Sequence, residues 1–429
     1  MLRAFVNAFK IPDLRAKILF TLFVIAVYRL GSHIPVPNIN VEVLAQQTQA
    51  QQGGFLSFIN LFSGGALTRM AVFALGIMPY ITSSIIMQLL AVVIPKIEQW
   101  QKQGEVGQKK VTQWTRYMTV TLSLLQSTGL IFLFNNQFSD PTTGQSVVRE
   151  FTPTRVGFMV LTLTAGTAMI MWLGELITQR GIGNGMSILI FTSIISTLPS
   201  EGATVLRTAG GVAFAVVLGL ALGIIVAVVF MEQGQRRIPV QYAKRVVGRK
   251  MTAGGSTYIP LKVNQAGVIP IIFASSVLYF PSLLGSVIQW QPFQNFLNNH
   301  LANQGSPVYI LIYGLLIIFF AYFYTAITFN PVDTADNIRK YGGFIPGIRP
   351  GRPTADHLDH ILTRITLPGS LFLATIAIIP SIAFVFLLVD PNQFPFGGTS
   401  ILITVGVSLE TMKQLESQLT MRHYEGFLR

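Results

Sequence analysis

The sequence predicts an all-α, polytopic membrane protein with ten spanning helices, and three observations carry that prediction. Of the 429 residues, 51% are hydrophobic and only 11% charged, against about 25% charged in an ordinary soluble domain. The apolar residues gather into runs that match the roughly 20 helical residues needed to cross a hydrocarbon core of about 30 Å. The cations behind a net charge of +13 fall overwhelmingly on one side of those runs. Cysteine is absent, which excludes a disulfide framework, thiolate catalysis and a cysteine metal site.

In chain order, residues 1–17 (MLRAFVNAFKIPDLRAK) place apolar residues at near-helical spacing over a basic face. That pattern suits an interfacial amphipathic helix, and equally a basic flank that orients the first span. The uninterrupted apolar core and small-residue cleavage site of a signal peptide are missing. Spans are expected at 18–31, 70–94, 117–134, 156–177, 182–198, 209–231, 263–288, 308–329, 365–389 and 399–412. The fifth and tenth are short enough to be tilted or partly interfacial, and residues 416–429 form a tail.

Orientation follows from the 30 Lys and Arg. Twenty-five lie on the side of both termini, whereas Arg69, Arg149, Arg155 and Arg207 lie opposite. Arg29 stands near the outer end of the first span, where its side chain can snorkel. The positive-inside rule then places both termini in the cytoplasm, in agreement with an even number of spans.

Two segments on the basic side, 232–262 and 330–364, are several times longer than an ordinary connection. RRIPVQYAKRV and TYIPL alternate apolar and polar residues, and GGFIPGIRPG is turn-rich, so both segments are expected to be ordered. Their cations (Arg236, Arg237, Lys244, Arg245, Arg249, Lys250 and Arg349) suit either topology and anionic lipid or an acidic partner or RNA phosphate. Arg349, between prolines and away from the spans, favours the second reading.

No catalytic set emerges. His357 and His360 can share a helical face beside Asp356 and Asp359, but without a matching third-ligand motif a mixed-charge helix is the better reading than a metal site. Glycines in RGIGNGMS lack the strand and lysine of a phosphate loop, which leaves helix packing. Carboxylates stand at span ends or in loops rather than at mid-membrane, where an ion-coupled transporter needs them; Glu175 is expected to pair with Arg180 at a helix end. No cofactor is expected.

FLSFINLFSGGA, at 55–66, is apolar yet only about half a span long. It fits a re-entrant segment enclosed by protein or lining a cavity, and equally an interfacial loop packed on the outer surface.

IPVPNIN, NLFSGGAL, FALGIMPYITSSIIMQLL, MWLGELITQRGIGNGMSI, GQRRIPVQYAKR, PLKVNQAGVIPIIFASS, FNPVDTADNIRKYGGFIPGIRPG and FGGTSILI closely resemble, in order and spacing, the bacterial SecY family from about Arg15 to the end. The resemblance implies two pseudo-symmetric halves, here 18–198 and 199–415, around a central pore that passes unfolded secretory polypeptides and releases hydrophobic segments sideways through a lateral gate. Energy would come from partners, and no chemistry from the chain.

By motif match the pore ring falls on Ile77, Ile81, Met186, Ile190, Ile272 and Ile403; the two pairs four apart each share a helical face. An apolar waist excludes ions when empty and offers no polar trap to a passing chain. The resemblance makes 55–66 the plug, with Phe55, Leu56, Phe58, Ile59, Leu61 and Phe62 as its apolar residues and Gly64 and Gly65 as a hinge. It implies a lateral gate between the second, third, seventh and eighth spans, with Gln88 and Asn264 as facing amides, and a docking surface on the basic loops. Implied partners are SecE and SecG, the ATPase SecA, a translating ribosome with its RNA, signal sequences and unfolded polypeptides, YidC, SecDF and membrane lipid. The expected location is the cell inner or plasma membrane. A secondary transporter built on broken helices is the rival reading, and a membrane enzyme a weaker one.

Overall fold

The computed structural model describes residues 9–44, 60–137, 147–242, 245–247, 250–252, 255–287, 291–301, 305–386 and 398–425. Six of its helices are long and apolar enough to cross a membrane, or seven if one sharply bent pair counts as a single span. Each of the ten expected spans falls on a described helix, with instructive differences at the ends.

The first span is α1 (Pro12–Gly31). Pro12 opens it where a missing N–H is harmless, and residues 12–17 belong to this helix rather than to a separate interfacial one. Leu14 and Ile18 are buried with Ile182 and Leu415, which is why the helix continues through its basic flank. Arg15, Lys17 and Arg29 lower its hydropathy as a span.

The second span is shorter than its apolar run. Helix α2 covers Met78–Val93, and 70–77 is a chain of turns. The reason lies outside the run: Val36 N donates to Met70 O and Val72 N to Ile34 O, both at 2.9 Å, so the IPVP segment engages the backbone that would otherwise start the helix. Met70 has φ 45° and Gly76 φ 57°, and a Cβ on Gly76 would stand 2.8 Å from the Phe62 carbonyl oxygen. Turns are tolerable here because protein encloses them. A bend of 103° leads into α3 (Pro95–Lys102).

Helices α4 (Glu105–Gln137) and α5 (Pro153–Arg180) are the third and fourth spans, each longer than its apolar run. The fifth and sixth share α6 (Gly185–Gln233), interrupted at Gly210 with φ 82° and ψ 174°, so the connection expected as a loop at 199–208 is helical.

The first basic segment forms strands. β1 (Gln235–Tyr242), β2 (Arg245–Val247), β3 (Lys250–Thr252) and β4 (Ser256–Lys262) precede α7 (Ile269–Val287), α8 (Gln291–Phe296) and a π-helical turn, Leu297–Leu301. Next come α9 (Pro307–Thr328), α10 (Pro331–Lys340) and β5 (Gly343–Phe344), then α11 (Arg352–Phe386) and α12 (Gly398–Glu425). Helix α11 begins 13 residues before the apolar run expected at 365, and α12 carries the short tenth run well beyond 412.

β1 is the middle strand of an antiparallel sheet between β4 and β5, with Ile238 opposite Ile259 and Gln241 opposite Phe344; β2 and β3 pair separately. Alternation sends Ile238 and Val240 inward with Leu261 onto Ile338, Ile345, Leu358 and Ile361. Neither basic segment can bury an apolar face alone, so the two pack as one unit.

Among the spans, α6 packs along α12, α9 along α11, and α4 between α2 and α5. Helix α7 lies chiefly on α9 and touches α2 and α4 more thinly.

Candidate functional site

All six ring residues belong to one apolar cluster. Ile77, Ile190, Ile272 and Ile403 are buried in it, and Ile81 and Met186 pack against it half-buried. Ile77 immediately precedes α2 and Ile81 lies in its first turn, with Ile81 N donating to Ile77 O. Met186 and Ile190 occupy the start of α6, where Asn184 caps the helix by accepting from Met186 N at 3.1 Å. Ile272 comes from the first turn of α7 and Ile403 from the second turn of α12. Met186 fills the notch left by a glycine on the neighbouring helix: a Cβ on Gly174 would be 2.5 Å from its Sδ.

Leu61 and Phe62 join the same cluster from a helical turn at 60–63, and Phe62 is fully buried. The segment is therefore enclosed by protein, which decides against an interfacial loop for its described part. Gly64 and Gly65 have φ 64° and 84°, the left-handed conformation that favours glycine. Phe55, Leu56, Phe58 and Ile59 lie outside the described residues.

A polar frame holds this segment, and hydropathy did not reveal it. Arg29 does not snorkel outward: its Nη1 donates to Gly64 O at 2.8 Å and to Ser196 Oγ at 2.9 Å. The fully buried Tyr28 shares a hydrogen bond with Ser193 Oγ at 2.6 Å and reaches Ser63 O at 3.4 Å. The available signal was a Tyr-Arg pair late in one span and serines three apart in another, since polar groups in spans face the protein interior.

Two further expectations change. Glu175 pairs with Arg116 of α4, not with Arg180: Arg116 Nε donates to Oε1 at 2.8 Å and Nη2 to Oε2 at 2.5 Å. A bidentate guanidinium–carboxylate fork outcompetes a neighbour on the same helix. Gln88 lies half-buried on α2, and Asn264 sits in the bend before α7 rather than on a helix. Its Nδ2 donates to Glu232 Oε1 at 2.6 Å and to Gly267 O at 3.1 Å. That joins the end of α6 to the start of α7, a contact no local pattern announces.

On the basic side, Arg349 is exposed in the turn before α11, between Gly347 and Gly351 at φ 83° and 102°. Thr354 Oγ1 donates to the Arg349 carbonyl at 2.9 Å and steadies the turn. Arg237 lies over the Tyr258 ring, 4.8 Å from its centroid. Arg245 and Lys250 stand on the small hairpin; Lys244 and Arg249 lie outside the described residues.

The helical bundle has the fold of solved protein-conducting channels. A solved protein-conducting channel superposes with a TM-score of 0.64 at 17% identity over 96% of each chain. The Sec61 of a canine ribosome–channel complex from the endoplasmic reticulum gives 0.61 at 16% identity, again over 96% of each. The SecY family model matches residues 71–412. The chain is 54% identical over 442 residues to the protein translocase subunit SecY of Streptomyces scabiei and 51% identical over 446 to that of Mycobacterium tuberculosis, with all of each chain covered. The chain belongs to the SecY family and is a protein-conducting channel subunit.

Proposed function

We propose that the aliphatic cluster is the pore waist and the 60–65 segment the inner end of a plug that closes it. The observation that carries this reading is the convergence of Ile77, Ile81, Met186, Ile190, Ile272 and Ile403 with Leu61 and Phe62 in one hydrophobic cluster. Aliphatic walls dewet when the pore is empty and give a sliding polypeptide nothing to bind. The lateral gate runs between α7 and the α2–α4 pair, where helix contact is thin; Gln88 lines that seam on α2, and Asn264 acts at its end as a clasp to Glu232.

Arg236, Arg237, Lys244, Arg245, Arg249, Lys250 and Arg349 form the docking surface for SecA and for a translating ribosome with its RNA. The chain works in the cell membrane with SecE and SecG, with both termini cytoplasmic and no catalysis of its own. The test is reconstitution of the full chain with its co-purifying subunits in sealed vesicles. A secretory precursor should become protease-protected only when SecA and ATP are supplied. Small-solute uptake without precursor translocation would instead establish the transporter reading.

A further inference from the structure

Three hydroxyls from α7, α9 and α12 meet in an apolar surrounding. The Tyr313 hydroxyl of α9 shares a hydrogen bond with Thr399 Oγ1 of α12 at 2.7 Å and another with Ser275 Oγ of α7 at 3.3 Å. All three side chains are buried, and Tyr313 belongs to a cluster with Ile271, Ile317 and Leu402. Counting protons orders the chain. Ser275 donates its own to the Ile271 carbonyl at 2.8 Å, so its oxygen accepts from Tyr313, whose oxygen in turn accepts from Thr399.

The chain of hydroxyls stands beside two residues proposed for the ring. Ser275 lies three residues past Ile272 on α7, and Thr399 lies four before Ile403 on α12, so each is one turn from its isoleucine on the same helical face. Ile272 and Thr399 occupy the first turns of their helices, where the leading N–H groups have no partner within the helix. Apolar packing is non-directional and does not by itself fix such an end against sliding. A hydroxyl in an apolar surrounding does, because leaving its partner strands a polar group.

We infer that Tyr313 is a positioning residue for the waist: its hydroxyl holds the starts of α7 and α12 on α9 and thereby keeps Ile272 and Ile403 seated in the closed ring. This rests on the waist reading above and adds to it the part that aligns two of the ring's helices.

The chain contains no cysteine, so single-cysteine reporters test this without background. Ile272→Cys and Ile403→Cys report on the ring, and Met159→Cys, buried in a different cluster, is the control. A membrane-impermeant thiol reagent reaches a buried site only during openings, so its labelling rate follows the open population. In the full chain reconstituted with its co-purifying subunits, Tyr313→Phe keeps the aromatic ring and loses the hydroxyl. It should speed labelling at 272 and 403 roughly three- to tenfold, the range that one interhelical hydrogen bond in a membrane supports, and leave the control unchanged. Thr399→Val should act alike and Thr399→Ser, which keeps the hydroxyl, should label at the parent rate; this pair serves if Tyr313→Phe does not fold. Unchanged labelling at 272 and 403 in Tyr313→Phe and Thr399→Val overturns the proposal. So does an equal rise at Met159→Cys, which would show general loosening, or a rise in Thr399→Ser as large as in Thr399→Val. Failure of the waist reading looks different: with Tyr313 intact, a bulky label on Ile272→Cys would then leave precursor translocation unobstructed.

Discussion

Arg29 on the first span donates to the main-chain carbonyl of Gly64 at 2.8 Å, and the same Nη1 reaches Ser196 on α6. One guanidinium therefore ties the end of the inserted segment to two helices. The carbonyl belongs to a residue with φ 64°, so the tie holds a turn that side chains other than glycine would resist.

That relationship predicts a leak. A hydrogen bond to a charged group contributes about 1.5–3 kcal/mol net, so Arg29→Ala should shift the closed-to-open ratio of the segment roughly ten- to hundredfold. Resting ion conductance in planar bilayers should rise, and Arg29→Lys should restore part of the seal. Unchanged conductance in Arg29→Ala would remove the tie from the closing mechanism.

The proposed pore ring makes a second prediction. Replacing Ile81 and Ile190 together with glycine widens and wets the waist, so the resting leak should rise even with Arg29 intact. If the proposed waist and the tie to Gly64 both oppose leak, a channel carrying both lesions should leak more than either alone. A conductance at the wild-type level would place these isoleucines outside the waist.

Arg349 gives the docking prediction. It is exposed and held in a turn by backbone contacts, so Arg349→Glu should leave stability within about 0.5 kcal/mol. Loss of an exposed charge at an interface acts on association rate and its salt dependence. SecA-driven translocation by the reconstituted variant should fall most at low ionic strength. Normal translocation at every salt concentration would clear Arg349 of the role.

The Asn264–Glu232 clasp sets the fourth. Asn264→Leu deprives a half-buried carboxylate of its donor, at a cost of about 1–3 kcal/mol or more, and the thermal midpoint in detergent should drop. Removing both partners, in Asn264→Leu with Glu232→Leu, should cost less than the two single losses summed, because neither polar group is left stranded. Strict additivity in that cycle would show that the 2.6 Å contact carries no coupling.

The architecture was readable because membrane insertion is a local sum. Consecutive apolar residues decide whether a helix can span, and every expected run overlaps a described helix. The six residues proposed for the ring were suggested only by motif resemblance, since an isoleucine lining a pore and one facing lipid look alike to hydropathy. Local reading failed where a distant segment intervened. The turns at 70–77 replace helix because Ile34 and Val36 engage their backbone. Arg116 outbids Arg180 for Glu175 because it meets the carboxylate as a two-pronged fork.

Composition, the ten apolar runs and the one-sided cations together determined a multi-span membrane protein with ordered basic loops, and the order of motifs pointed to its family. Only the tertiary structure decided that Arg29 turns inward to Gly64, that Asn264 clasps Glu232, and that the two basic segments form one unit over Leu358 and Ile361. Hydropathy is a property of neighbouring residues, whereas a hydrogen bond or a shared core needs two segments far apart in sequence to arrive within about 3 Å to 4 Å of each other. That arrival depends on how the helices pack, and no single run of residues encodes it.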